Sequence, residues 1–257
     1  MSSLPQVNWD FDPIFVTVPQ TAVVVVAGAI ALYSFFQGAR TKGGDHNVTG
    51  ILFAALAFIA WKFMDHGLEL RYYSMLFVGV FLGGYALLKR QIERGGGPPE
   101  DAGDFIVYGV LGVLLGARLG HVLFYDLDKA LADPAWIFKI WTGGLASHGA
   151  VLGLITAMWL FTKRRGIPFI EGSDRFSFSA ALGATVVRIG NLFNSEIVGK
   201  RTGTSWGVRF PRYDGYLDAP LRHPTQIYEA LLGLAVLGLL LWADRRLGGE
   251  RRPRGVL

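Results

Sequence analysis

From its N-terminus the chain alternates between long apolar stretches and short basic or polar ones. Residues 18–39 carry no charge at all and are long enough to cross a bilayer, which takes about 20 residues of helix. Residues 48–64 form a shorter run that meets Lys62 and Asp65 near its end and reads as a span or a re-entrant element. Further apolar runs cover residues 68–88, with Arg71 at the entrance, 105–125, which contains Arg118, and 145–162, which contains His148. The last two cover 176–193, with Arg188 inside, and 227–243, with Glu229 near its start. This pattern predicts an all-α polytopic membrane protein of about seven transmembrane helices. No basic n-region or small-residue cleavage site precedes the first apolar run, so no removable signal peptide is expected.

Composition agrees with the pattern. Hydrophobic residues make up 51% of the chain and charged ones only 18%, against roughly 25% charged in soluble domains. The net charge of +5 does not call for nucleic acid, because the basic residues cluster between apolar runs. Arg40 and Lys42, then Lys89, Arg90 and Arg94, then Lys163, Arg164, Arg165 and Arg175 fall on one side of an alternating topology. Arg245, Arg246, Arg251, Arg252 and Arg254 join them there, giving 14 of the 25 basic residues. The positive-inside rule makes these loops cytoplasmic. The acidic N-terminus and residues 126–144 and 195–226 then face outward. Residues 95–99 read as a flexible cytoplasmic connection. The chain has no cysteine, so any thiol in its chemistry belongs to a substrate.

Charge inside a span is costly unless it meets a partner or a polar cavity, which makes each such residue a functional candidate. Arg118 sits among small residues (GARLG) that permit close helix packing. It reads either as a site residue or as a structural arginine paired with a carboxylate or reaching an interface. His148, flanked by glycines in GGLASHG, reads either as an interhelical hydrogen-bonding residue or as a proton-exchanging group. The densest polar cluster is RIGNLFNSE, residues 188–196. There Arg188, Asn191 and Ser195 share a face if the helix continues, and arginine with amide donors suits a phosphate or carboxylate. Helix–helix adhesion is the alternative. In RHPTQIYE, residues 222–229, Pro224 fits a helix start and Tyr228 an interfacial belt, which leaves Arg222, His223 and Glu229 unexplained. Residues 210–218 read as an exposed, turn-rich loop.

Four ordered segments carry a resemblance: 116–126 (GARLGHVLFYD), 143–153 (GGLASHGAVLG), 188–199 (RIGNLFNSEIVG) and 222–229 (RHPTQIYE). With residues 70–74 (LRYYS) as a divergent His-Trp-Tyr-Gly motif, the chain resembles the bacterial prolipoprotein diacylglyceryl transferases over about residues 68–247. The resemblance implies transfer of diacylglycerol from phosphatidylglycerol to the lipobox cysteine of a preprolipoprotein signal peptide. The products are a thioether and glycerol phosphate, made in the bacterial cytoplasmic membrane at a site toward its outer side. It implies neither cofactor nor metal. By the same resemblance His148 is the thiol base, Arg188 the phosphate-binding arginine, and Glu196 a third catalytic candidate. Tyr73, Arg118, Gly143, Gly149, Asn191, Asn194, Gly199, Arg222, His223 and Glu229 are the expected substrate-binding residues, alongside Arg188.

The chain also departs from the family pattern. Arg71 and Ser74 replace the histidine and glycine of His-Trp-Tyr-Gly, and Ala150 replaces the second glycine of His-Gly-Gly. Residues 10–15 (DFDPIF) look like the family's N-terminus, so the first two apolar segments read as an inserted hairpin. The expected division is 1–67 as an N-terminal segment with extra spans, 68–247 as the membrane core and 248–257 as a cytoplasmic basic tail. The chain ends where the family continues through two more spans bearing another functional arginine, so a fragment is expected, with a helix-deficient variant as the alternative. Rival readings are a transporter or anion pathway lined by Arg118, Arg188 and Glu196, and an inactive scaffold that binds anionic membrane lipid.

Overall fold

The structure is a computed structural model that describes residues 6–41, 44–63, 67–247, 254, 255 and 257. Lys42, Asp65, Arg251, Arg252 and most of the expected basic tail lie outside the described residues. In chain order come β1 (Gln6–Asn8), β2 (Ile14–Val18), α1 (Gln20–Thr41), α2 (Gly44–Phe63), β3 (Leu68–Arg71), α3 (Tyr72–Arg94) and α4 (Asp101–Tyr125). There follow α5 (Leu127–Ala132), two 3-10 turns (Pro134–Phe138 and Ile140–Thr142), α6 (Ser147–Arg165), α7 (Phe169–Phe193), β4 (Gly207–Arg209), α8 (Pro211–Asp214) and α9 (Thr225–Arg246).

Among the described residues five helices, α1, α3, α4, α7 and α9, are long and apolar enough to cross a membrane. The chain is therefore an all-α polytopic membrane protein in class, and among the described residues the strands form two two-stranded pairs. The two other expected spans do form helices. In α2 the apolar portion is the shorter Thr49–Lys62, and α6 carries His148 near one end and Lys163, Arg164 and Arg165 at the other. The expected third span begins later than its hydropathy suggests. Residues 68–71 pair as β3 with β2, and the helix starts at Tyr72.

The chain divides into two compact units. One comprises Met1–Val78 and Val187–Ile227, the other Gly79–Val186 and Tyr228–Leu257. In the first unit α1 and α2 pair as an antiparallel hairpin. The Gln20 side chain at the start of α1 donates to the carbonyls of Ala60 (3.0 Å) and Trp61 (2.9 Å) near the end of α2. The base of this hairpin is closed by the antiparallel β2–β3 pair, in register Val18↔Leu68 through Ile14↔Arg71 with one irregularity between Ile14 and Val16. The segments before and after the hairpin are thus adjacent strands. Trp9, Phe11, Tyr72 and Phe193 stack beside them, with Tyr72 and Phe193 centroids 4.9 Å apart.

In the second unit α4 and α6 pack through small residues. Gly112, Gly116 and Gly120 recur every fourth residue on α4 and meet Gly149, Gly153 and Ala157 on α6. A Cβ on Gly120 would lie 2.7 Å from the Cα of Gly149, and one on Gly153 would overlap the carbonyl of Gly112. Only glycine lets backbones approach this closely, which gives dispersion contact where lipid removes the hydrophobic incentive. At one end of this unit Leu88, Ile92, Ala102, Phe105, Met158 and Phe161 form a buried cluster. Polar ties surround it: Arg165 with Asp101 (3.0 Å) and Asp104, Arg164 with Tyr108 (2.9 Å), and Arg94 with Asp244 (2.7 Å).

Candidate functional site

The polar cluster predicted at 188–196 forms where α7 ends in the first unit. The last helical residue is Phe193, so Ser195 does not continue the face of Arg188 and Asn191 as expected. Instead Ser195 adopts φ 54° and the chain folds back. The Glu196 N–H donates to the Asn191 carbonyl (2.9 Å) and the Ser195 N–H to that of Leu192 (3.0 Å). This pair of bonds is the Schellman pattern that satisfies orphan carbonyls at a helix end, usually with glycine where Ser195 stands. The reversal brings the Glu196 carboxylate back over the helix. Its two oxygens accept from Asn191 Nδ2 (3.3 Å) and Asn194 Nδ2 (3.2 Å), while Arg188 Nη1 reaches Asn191 Oδ1 at 3.5 Å.

A second left-handed residue, Ile197 at φ 53°, follows. A β-branched residue there is strained by roughly 1–3 kcal/mol, so neighbours must hold the turn. Gln226 at the start of α9, 1% exposed, donates to the Glu196 carbonyl (2.7 Å), and Thr225 Oγ1 donates to that of Ile197 (3.0 Å). Gly199 donates its N–H to the His223 carbonyl (3.1 Å), and a Cβ there would sit 2.9 Å from the His223 Cβ. On the other side Tyr73 lies against Gly190, where a Cβ would come within 2.6 Å of its ring. Trp9 Nε1 caps the Leu192 carbonyl (2.9 Å). The structure therefore brings Tyr73, Arg188, Asn191, Asn194, Glu196, Gly199 and His223 to one end of α7.

Arg222 belongs to the same unit, but its donors are occupied within the fold. Nε and Nη2 hold both oxygens of Asp214 (3.0 and 2.5 Å), Nη1 reaches the Gly199 carbonyl (3.3 Å), and the guanidinium lies 5.0 Å from the Tyr213 ring centroid. The hydrogen bonds from Arg222 hold the Asp214 carboxyl below the usual range, and Asp214 in turn raises Arg222. Residues 210–218 are largely exposed and turn-rich, as expected, but they also carry structural contacts. Phe210 is fully buried and α8 delivers the buried Asp214. A charge that finds its partner eight residues away leaves no periodic signal in sequence.

In the second unit Arg118 is 3% exposed and directs its donors to backbone carbonyls: Trp136 (2.5 Å), Ile137 (3.0 Å), Gly143 (2.7 Å) and Gly144 (3.3 Å). It ties the 3-10 segment and the Gly143–Gly144 loop to α4. Gly143 (φ 84°) and Gly144 (φ 81°) turn the chain into α6, and Ala146 N–H bonds the Ala117 carbonyl (2.9 Å). Gly149 is one of the α4–α6 contacts. His148, exposed at the start of α6, lies edge-on to Phe124 (4.8 Å) and 6.0 Å from Tyr125. Glu229 is exposed in α9, just past its first turn. Neither His121 nor Asp126 was singled out from sequence. They stand 3.3 Å apart, and Asp126 also accepts from Trp136 Nε1 (3.2 Å) and pairs with Lys129 (2.9 Å). Lys129 above all, with help from Trp136 and His121, lowers the Asp126 carboxyl against the opposing effect of burial. Among the described residues no three His, Asp or Glu side chains converge as a metal site.

The family model described as prolipoprotein diacylglyceryl transferase matches residues 59–256. A phosphatidylglycerol–prolipoprotein diacylglyceryl transferase of Pseudoalteromonas atlantica is 39% identical over 190 residues, covering 74% of this chain and 65% of the relative. The protein of that name from Chloroherpeton thalassium is 41% identical over 177 residues, 68% of this chain and 65% of the relative. That from Nitratidesulfovibrio vulgaris is 40% identical over 191 residues, 73% and 70%. The chain thus spans about two thirds of the length of these relatives, slightly under that for the first two.

Proposed function

The chain belongs to the prolipoprotein diacylglyceryl transferase family, and we propose that it moves diacylglycerol from phosphatidylglycerol to the lipobox cysteine of a preprolipoprotein signal peptide. The observation that carries this reading is the end of α7. There a half-buried arginine, two amides and a carboxylate are held by a strained, heavily braced turn inside a chain without cysteine. A positive group beside amide donors suits a phosphate ester, and the missing thiol must come from the acceptor.

In the proposed step the cysteine S–H loses its proton to His148, and the sulfur attacks the glyceryl carbon that bears the phosphate. The carbon–oxygen bond breaks, its electron pair leaves on the phosphate oxygen, and glycerol phosphate departs as the thioether forms. Arg188 orients the headgroup and stabilises charge growing on the leaving phosphate. Asn191, Asn194 and Glu196 set its surroundings. A thiol is already partly ionised near neutral pH, so the arginine carries more of the catalysis than the base. Tyr73, Gly199 and His223 shape the same end of α7. Arg118, Gly143 and Gly149 act through the His148 loop, Arg222 acts through Gly199, and Glu229 contacts substrate from the start of α9. The core is assigned to 68–247, with 1–67 as an added segment. The membrane is the bacterial cytoplasmic one, with the site toward its outer side.

The test is transfer to a synthetic lipobox peptide in phosphatidylglycerol vesicles, read by mass spectrometry. The diacylglyceryl adduct and released glycerol phosphate are expected from the chain and are lost in Arg188→Ala. Phosphate or chloride flux without any adduct would favour the anion-pathway reading and sink this one.

A further inference from the structure

An imidazole that accepts a proton must be held in one orientation and one tautomer, and a second group hydrogen-bonded to its far nitrogen usually does this. His148 instead sits among aromatic rings, edge-on to Phe124 at 4.8 Å and 6.0 Å from Tyr125. Both rings belong to the last turn of α4, so whatever fixes that turn, and the glycine loop leading into α6, fixes His148. His121 does both. Its ring faces Tyr125 (5.3 Å) and fills the space above Gly144, where a Cβ would lie 2.5 Å from its Nε2 and Cδ2. Its Nε2 meets Asp126 Oδ2 at 3.3 Å, and Asp126 is anchored by Trp136 Nε1 and Lys129. Arg118, one helical turn before His121, grips the carbonyls of Gly143 and Gly144.

We infer that His121 is a positioning residue for His148, the Asp126–His121 pair locking the end of α4 and the Gly144 loop so that the His148 imidazole holds one orientation. The functional side of this inference rests on reading His148 as the thiol base; the geometric side does not. Asp126 keeps the Nε2 of His121 as the hydrogen-bearing nitrogen whether the ring is neutral or charged. Replacing His121 by phenylalanine keeps the ring and removes the bond. Replacing it by glutamine restores an N–H donor to Asp126.

The full chain, labelled with 15N-histidine in phosphatidylglycerol nanodiscs, gives five histidine side chains to assign. In His121→Phe the His148 nitrogen resonances are expected to shift toward a mixed tautomer and broaden, and His121→Gln to return them toward the parent pattern. In the transfer assay a misplaced base costs about ten- to a hundredfold, read in kcat with KM little changed, and His121→Gln recovers most of it. His148 resonances unchanged in a folded His121→Phe chain would overturn the inference. Full transfer by His148→Gln, with the resonance change present, would sink the base reading while leaving the orienting role of His121 supported.

Discussion

Gly116 stands where α4 crosses α6, and a methyl group there has nowhere to go. Its Cβ would overlap the Gly149 carbonyl and lie 2.8 Å from the Cα and 3.0 Å from the N of Gly153. These are backbone atoms of a facing helix, so no side-chain rotation relieves them, and Gly116→Ala must push the helices apart. Overpacking of this kind costs about 1–3 kcal/mol, and separation also forfeits contacts made along Gly112, Gly120 and Gly153. Gly238 in α9 is the control, because a Cβ there meets nothing within 4 Å. Alanine at such an interior helical position gains about 0.5–1 kcal/mol from propensity and lost unfolded-state freedom. The two substitutions are chemically identical and share that gain, so the structure separates them by the overpacking cost alone, about 1–3 kcal/mol. Reversible unfolding in mixed micelles, followed by far-UV circular dichroism, measures the difference. Equal effects of the two alanines, to within about 0.5 kcal/mol, a normal surface value, would refute the close α4–α6 crossing. Because that crossing also carries Arg118 and His148, Gly116→Ala is expected to lower transfer.

Ser195→Gly removes a side chain from a left-handed position and is expected to raise stability by up to about 1 kcal/mol, checked by the same unfolding transition; a loss of that size would mean the Ser195 hydroxyl does more than occupy the turn. The Asp214 carboxyl is held low by Arg222, so its stabilising contribution is complete above the ordinary carboxylate value near 3.9. It fades as pH falls through the lower folded value. A pH series of melting temperatures should therefore drop less steeply at acid pH in Asp214→Asn, which is less stable than the parent at neutral pH; parallel curves would place the acid sensitivity elsewhere. Arg188→Lys keeps the charge but not the two-oxygen fork and is expected to retain measurable transfer while Arg188→Ala falls at least about a hundredfold; an alanine variant at parental rate would end the clamp assignment.

Much of this was legible along the chain. Helical apolar runs separated by basic loops decided the class of the protein, because a bilayer imposes length and polarity on any span independently of what packs beside it. The four segments at 116–126, 143–153, 188–199 and 222–229 decided the family, and RIGNLFNSE located the polar end of α7. Local order did not reveal what long-range pairing supplied. Residues 68–71 read as helix until β2, some fifty residues earlier, claimed their hydrogen bonds. Ser195 read as the next position on a helical face, but Glu196, Gln226 and Thr225 brace a reversal that local propensity disfavours. Arg118 read as a site charge or a carboxylate's partner, and the fold gives it carbonyls of a loop eighteen or more residues away. Arg222 looked available to substrate until α8 presented Asp214. That these polar groups sit toward the ends of apolar helices follows from periodicity and solvent alone. Which of them would be consumed in holding the backbone was decided only in three dimensions, because a hydrogen-bond donor is committed by what lies within 3 Å of it and not by its neighbours in the chain.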